Sequence, residues 1–338
     1  IISGFLRKAI GRIGAHSVTI LGLAISFIAA FMIAIPVLQN GSADNFMLYT
    51  LASGGNWFPY ELNIGFLIDP LTVVMMLIVT FVSLLVHIYS IGYMHDDDGY
   101  QRFFSYISLF TFMMLMLVTG NNFLQLFFGW EGVGLVSYLL IGFWFQKESA
   151  IEGSLKAFLV NRVGDFGFVM GIALILIHVG SLNYSNLFAS NFDLLGETIH
   201  LGFLGDVSVV NMICFLLFVG AMGKSAQVPL HVWLPESMEG PTPISALIHA
   251  ATMVTAGIFM IARLSPLFEL SPSVCSIIMI IGATGALFMG LIGIVMNDIK
   301  RVVAYSTLSQ LGYMMVALGA SAYSCLLYTS DAADDTPC

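Results

Sequence analysis

The chain has 338 residues, of which 58% are hydrophobic and only 9% charged, with a formal net charge of −9 and a mean hydropathy of +0.94. A soluble domain carries about 25% charged residues, so these figures exclude a water-covered surface and put lipid against much of the chain. The acidic excess names no partner: it lies partly in the loop Asp96, Asp97, Asp98 and partly in a terminal tail with Asp331, Asp334 and Asp335, and no basic cluster points to nucleic acid.

Apolar runs of about 18–25 residues suffice to cross hydrocarbon at 1.5 Å per residue. Nine are predicted in chain order, at 17–38, 69–93, 102–119, 122–145, 155–179, 208–231, 244–264, 273–296 and 301–319. The connection 39–68 contains WFPYELNIGFLID, whose partial alternation predicts a short hairpin. The polar segment 182–206 predicts an outer loop with a helical turn. The opening IISGFLRKAIGRIG reads as a helix entered near its end. From Cys325 the stretch CLLYTSDAADDTPC loses the apolar pattern and reads as vector-derived, which sets 324–338 outside the fold.

Lys and Arg placement supports the count. With nine crossings, Arg7, Lys8, Arg12, Arg102, Lys147, Lys156, Lys300 and Arg301 fall on one face, and the two longest connections, 39–68 and 180–207, hold none. That asymmetry is the positive-inside pattern. It puts 1–16, 94–101, 146–154, 232–243 and 297–300 in the cytoplasm or mitochondrial matrix, with Arg263 as the exception at an outer helix end.

Ionisable groups inside the spans carry the functional information, because one at the bilayer centre costs about 2.5–3.5 kcal/mol on insertion scales. Glu131 lies near the middle of 122–145, flanked by Gly129, Gly132 and Gly134, which let a neighbouring helix come close. It reads as a proton or cation site, against a packing carboxylate bonded to a neighbour. Lys224 is also mid-span, and Pro229 five residues on lacks an N–H and crowds the Ser225 carbonyl, so the helix breaks or bends beside the lysine. Broken helices at mid-membrane line transport sites. Desolvation favours a neutral amine and a nearby carboxylate a charged one. Glu131 is the predicted carboxylate, so a switchable pair stands against a static salt bridge.

On the next span, Ser245, His249 and Thr252 are spaced four and three apart, which predicts one polar helical face for a water wire; a hydrogen-bonded core histidine is the plain alternative. Arg162 and Asp165, three apart, predict a local ion pair that supports packing. Lys300 opens the last span ahead of Ser306, Ser309, Gln310 and Tyr313, and either feeds protons to that stripe or snorkels to the interface, as Arg301 does.

Other chemistries find no support. Cys214, Cys275, Cys325 and Cys338 show no metal-ligand spacing, and Cys214 and Cys275 read as small core hydrophobes. His87 and His178 stand alone, without the cross-helix pairing that holds haem. No GxGxxG or GxxxxGK[ST] sequence suggests a nucleotide.

Several long motifs occur together in one order: GFLIDPL at 65–71, YMHDDDGYQRFF at 93–104, WEGVGLVSYLLIGFW at 130–144, NRVGDFG at 161–167, GKSAQVPLHVWLPESMEGPTPISALIHAATMVTAG at 223–257 and NDIKRVVAYSTLSQLGYM at 297–314. Over 1–323 the chain resembles the antiporter-like, chain 5 type (L) subunits of NADH:quinone oxidoreductase, respiratory complex I. The resemblance implies an all-α polytopic transmembrane bundle with two inverted five-helix repeats. After N-terminal helices and an outer loop in 1–101, the first repeat would occupy 102–264 with its broken helix near 224–229. The second would open at 265–323, its remainder and the C-terminal half absent from this fragment.

The resemblance further implies that Glu131 tunes Lys224, the pumping lysine, with His249 on a central polar axis and Lys300 toward a second half-channel. NADH, FMN, iron–sulfur clusters and quinone would lie in other subunits, leaving no cofactor or metal here. Partners would be complex I membrane-arm subunits, especially the neighbouring antiporter-like one. The membrane would be the bacterial cytoplasmic membrane or the mitochondrial inner membrane. The departure in WLPESMEG, at Glu236 and Ser237, is modest. Two other readings remain: the large subunit of a multisubunit Na⁺/H⁺ antiporter, and a passive membrane scaffold.

Overall fold

The computed structural model describes residues 7–41, 43–52, 61–190, 196–201, 205–250 and 252–323. Seven of the nine predicted spans hold long apolar helices, the first of them kinked at Gly11 so that its apolar span runs from there to Asn40. They are α1 (Arg7–Asn40), α2 (Pro70–Tyr93), α3 (Tyr100–Thr119), α4 (Phe123–Ile141), α5 (Glu148–Val179), and, later in the chain, α11 (Pro272–Val295) and α12 (Ile299–Gly319). Their starts follow from local chemistry. Asp69 accepts from Thr72 N with Pro70 in the first helical turn, Asn122 accepts from Gln125 N, and Asp298 accepts from Lys300 N.

The other two spans differ from expectation. Segment 208–231 is helical only as α7 (Val209–Lys224), and 244–264 is two pieces, α8 (Thr242–Ala250) and α9 (Ala256–Arg263). At the second interruption the Thr252 hydroxyl donates to the Leu247 carbonyl, five residues back. A side-chain donor so placed competes with the backbone ladder. Between the two lies a 3-10 turn, Pro235–Glu239.

The expected hairpin in 39–68 is present as β1 (Asp44–Ala52) paired with β2 (Leu62–Ile68), though residues 57–60 of its motif lie outside the described residues. The segment 182–206, expected as an outer loop with a helical turn, holds the short helix α6 (Tyr184–Ala189). It also holds an unforeseen antiparallel pair, β3 (Thr198–Leu201) with β4 (Gly205–Ser208). A four-residue helix, α10 (Ser265–Phe268), precedes α11. The opening residues 1–6 and the tail 324–338 lie outside the described residues.

The chain divides into two compact units. The first comprises 1–51, 63–158 and 237–253, and the second 52–62, 159–236 and 254–338. In the first, α1 packs on α2 and α3, α3 on α4, and α8 on α2 and α4, around fully buried Phe103, Phe104, Phe110, Phe123 and Trp130. In the second, α7 packs on α9 and α11, and α12 on α9 and α11, around Phe168, Phe218, Trp233 and Phe268.

Lipid tails are as apolar as leucine, so close packing rather than water exclusion joins such helices, and small residues make it possible. Gly282 on α11 faces Gly312 on α12, where a Cβ would come within 2.7 Å of the opposite main chain. Large apolar side chains point outward instead: Ile294 is 80% exposed and Phe166 72%. A surface of that kind needs hydrocarbon around it, and the chain is an integral membrane protein. Arg263, the exception to the charge pattern, is buried beside the Phe259 ring, so it meets protein rather than lipid.

Candidate proton-handling site

Lys224 is the last residue of α7, and how α7 ends explains its setting. The N–H of Ala226 bonds the Gly223 carbonyl, the N–H of Gln227 bonds the Met222 carbonyl, and Ala226 takes a left-handed φ of 48°. This is the Schellman arrangement, with alanine where glycine is usual. The helix is therefore closed by its own cap at Ser225, before Pro229 is reached. The break lies where the sequence predicted it but does not require the proline ring against the Ser225 carbonyl; Pro229 itself is exposed. Two further bonds fix the cap: Trp233 Nε1 donates to the Gly223 carbonyl at 3.0 Å, and Ser225 Oγ to the Val254 carbonyl at 2.7 Å.

The ammonium group of Lys224, 1% exposed, lies 3.8 Å from Asp165 Oδ2. Asp165 also lies 3.7 Å from Arg162 Nη1, and the aspartate is buried while the arginine is one-third exposed. The predicted local pair is present, but its carboxylate serves a second cation as well. A glycine contact beside the charges makes this possible. A Cβ on Gly164 would stand 3.0 Å from Gly223 Cα, and one on Gly223 3.2 Å from Gly164 Cα. So α5 and α7 touch main chain to main chain one residue away from Asp165 and Lys224. The motif reading assigned Asp165 only a packing role. The spacing Gly164, Gly167, Gly171 opposite Gly220 and Gly223 was the signal that joins the two helices.

Glu131 lies in the middle of α4 in the first unit, half-buried. As its flanking glycines predicted, α4 meets α3 closely there: a Cβ on Gly129 would come within 2.6 Å of the Leu117 main chain, and Gly132 faces Met113. His249, near the end of α8, is 7% exposed, with Nε2 3.0 Å from Ser237 Oγ. His249 Nδ1 and Ser245 Oγ are buried with no hydrogen-bond partner among the described residues. Thr252 does not extend their helical face. It lies past the end of α8, where its hydroxyl holds the Leu247 carbonyl.

Lys300 is half-buried in the first turn of α12 and Arg301 is exposed. Behind them Ser309 Oγ donates to the Ala286 carbonyl of α11, Gln310 Oε1 is buried with no hydrogen-bond partner among the described residues, and Ser306 and Tyr313 are exposed. Among the described residues no group of three or more His, Cys, Asp or Glu is placed to hold a metal ion.

A sequence model described as NADH:quinone oxidoreductase/Mrp antiporter, TM, matches residues 120–329, and one described as NADH-ubiquinone oxidoreductase (complex I), chain 5 N-terminus, matches residues 57–104. NADH-quinone oxidoreductase subunit L of Neisseria meningitidis serogroup A is 61% identical over 333 residues, covering 97% of this chain and 49% of the relative. The subunit L of Rickettsia felis is 51% identical, covering 96% of this chain and 49% of the relative. NADH-ubiquinone oxidoreductase chain 5 of Triticum aestivum is 50% identical, covering 96% and 48%. The chain spans about half the length of the curated relatives it matches. Among solved structures, a chain of the Mrp complex from Dietzia sp. DQ12-45-1b superposes with a TM-score of 0.79 at 26% identity, over 98% of this chain and 35% of that one. The helices, their order and these matches together establish that the chain belongs to the NADH:quinone oxidoreductase/Mrp antiporter transmembrane family.

Proposed function

We propose that the chain is part of the proton-translocating L-type (chain 5) membrane subunit of NADH:quinone oxidoreductase, and that Lys224 loads and releases the proton. One observation carries the reading: a fully buried lysine ends an interrupted helix and shares the carboxylate of Asp165 with Arg162. Lys224 and Arg162 thus draw on the same carboxylate where little water remains. The proton on Lys224 is held or released according to how strongly carboxylates act on that cluster.

Glu131 is proposed as a second carboxylate. At an effective dielectric of ~20, two unit charges ~4 Å apart interact by about 4 kcal/mol, which is about three powers of ten in proton occupancy. Bringing Glu131 in holds the proton on Lys224, and withdrawing or protonating it sends the proton toward His249, Ser237 and Ser245. Lys300 leads to a second half-channel, with the inverted repeats divided as the family resemblance implies. The chain carries no cofactor in this reading. NADH, FMN, iron–sulfur clusters and quinone belong to partner subunits of the membrane and redox arms, and their electron transfer supplies the electrostatic pulse that moves Glu131 and Lys224 between states. The bacterial cytoplasmic membrane is the proposed location, in keeping with the Neisseria and Rickettsia relatives.

Lys224→Ala in the full-length subunit, assembled in sealed vesicles, is expected to cut NADH-driven proton translocation severely. A wild-type H⁺/e⁻ ratio in that variant would return the chain to the role of a passive scaffold. The likeness to the Mrp complex favours one second reading, exchange of Na⁺ for protons at the same site. Proton movement driven by a Na⁺ gradient without NADH would support it.

A further inference from the structure

The first unit buries a histidine for which the Lys224 centre has no use. His87, on α2, is 0% exposed and meets a set of hydroxyls from α2 and α3. Its Nδ1 lies 2.7 Å from the Ser83 carbonyl oxygen, which only accepts, so Nδ1 carries a proton. Its Nε2 lies 3.1 Å from Ser108 Oγ, and Ser108 Oγ is 2.8 Å from the Phe104 carbonyl. Ser83 Oγ is 2.6 Å from Thr111 Oγ1.

Counting protons distinguishes this cluster from ordinary packing. Ser108 has one hydroxyl proton and two acceptors within reach. With a neutral imidazole the hydroxyl donates to Nε2. With an imidazolium, Nε2–H donates to Ser108 Oγ and the hydroxyl proton turns to the Phe104 carbonyl. Both states keep both ring nitrogens hydrogen-bonded without moving a heavy atom.

Ser108 and Thr111 also line a cleft of about 460 Å³ between α1 and α3, to which α1 contributes the Thr19 and Ser26 hydroxyls. The cleft is open and mostly apolar; it has room for water, to which the Thr19 and Ser26 hydroxyls, each donating to a carbonyl of its own helix, offer acceptor lone pairs. His87 is about 9 Å, at helical rise, from the Tyr93 end of α2. Toward the same end, His16 of α1 is 2.8 Å from the Tyr100 hydroxyl of α3. The Phe104 ring stands 6.2 Å from His16 and 5.9 Å from His87, so His16 and Tyr100 approach through Phe104. The other element packed on α2 is α8, whose one titratable side chain is His249.

We propose that His87 is a proton-exchange site, loaded through Ser108 from the cleft between α1 and α3 and independent of Lys224. The test is deuterium exchange at the imidazole C2–H, which proceeds through the imidazolium and needs water, read by mass spectrometry on the full-length subunit in its assembled complex. His87 is expected to exchange over the interval in which His16 does, with His87→Asn confirming the assignment. Ser108→Ala is expected to slow exchange about tenfold, equivalent to about 1.4 kcal/mol of a charge-assisted hydrogen bond, and Ser108→Thr to restore it. Should Ser108→Ala fail to assemble, Ser108→Cys serves the same comparison. A His87 that stays protiated while His16 exchanges fully, as it would if a lipid chain filled the cleft, overturns the proposal. So does a Ser108→Ala protein that exchanges at the wild-type rate. The readout involves no pumping, so its failure and that of the function proposed above are separable.

Discussion

Two apolar segments of this chain are interrupted, and they are interrupted differently. After Lys224 the helix closes on a complete cap, and the last side chain before it is a buried cation paired with Asp165. Between α8 and α9 a neutral hydroxyl, that of Thr252, donates to a backbone carbonyl. The two breaks are bonded to each other through Ser225 Oγ and the Val254 carbonyl. One is a charged terminus and the other a neutral elbow. On the function proposed above, proton handling falls to the charged terminus, and the elbow is bonded to it.

The largest effect should come from removing the charge pairing itself. Asp165→Asn leaves Lys224 and Arg162 in a buried site without their carboxylate, and breaking one partner of such a pair costs about 3–5 kcal/mol. Thermal unfolding of the full-length subunit is expected to shift down accordingly, and proton translocation in vesicles to fall at least as far as in Glu131→Gln. Translocation that survives Asp165→Asn but not Glu131→Gln would make Glu131 the sole controlling carboxylate. A smaller effect is expected from Ser225→Ala, which leaves the Val254 carbonyl unpaired. The cost is about 1–2 kcal/mol, read as faster amide exchange at Ile258 and Phe259. The smallest concerns the cap. Ala226→Gly relieves a left-handed conformation that costs about 1–2 kcal/mol in alanine, against about 0.5–1 kcal/mol of added chain entropy. A slight rise in unfolding midpoint is expected, with pumping unchanged.

How much of this was legible varied with the kind of signal. Long apolar runs marked seven helices, three of them with side-chain-capped starts at Asp69, Asn122 and Asp298, because length and capping are local properties. The break at Lys224 was legible in position but not in mechanism, since a Schellman cap with alanine at its left-handed residue carries no glycine to announce it. The break near Thr252 was not legible: ALIHAATMVT reads as uninterrupted helix, and only the three-dimensional path turns a threonine hydroxyl onto a carbonyl five residues back. Asp165 was seen as the partner of Arg162 because three-residue spacing is visible along one helix. Its second partner arrives from another helix, and only the paired glycines foretold that approach.

The contact between Gly164 and Gly223 sets what kind of motion can reach Lys224. Two backbones already in touch can roll about that point like a hinge pin in its socket, but they cannot draw nearer. In the function proposed above, a signal would therefore be handed to the lysine as a turn of side chains and a relocation of charge, with the helices beneath it serving as a fixed fulcrum.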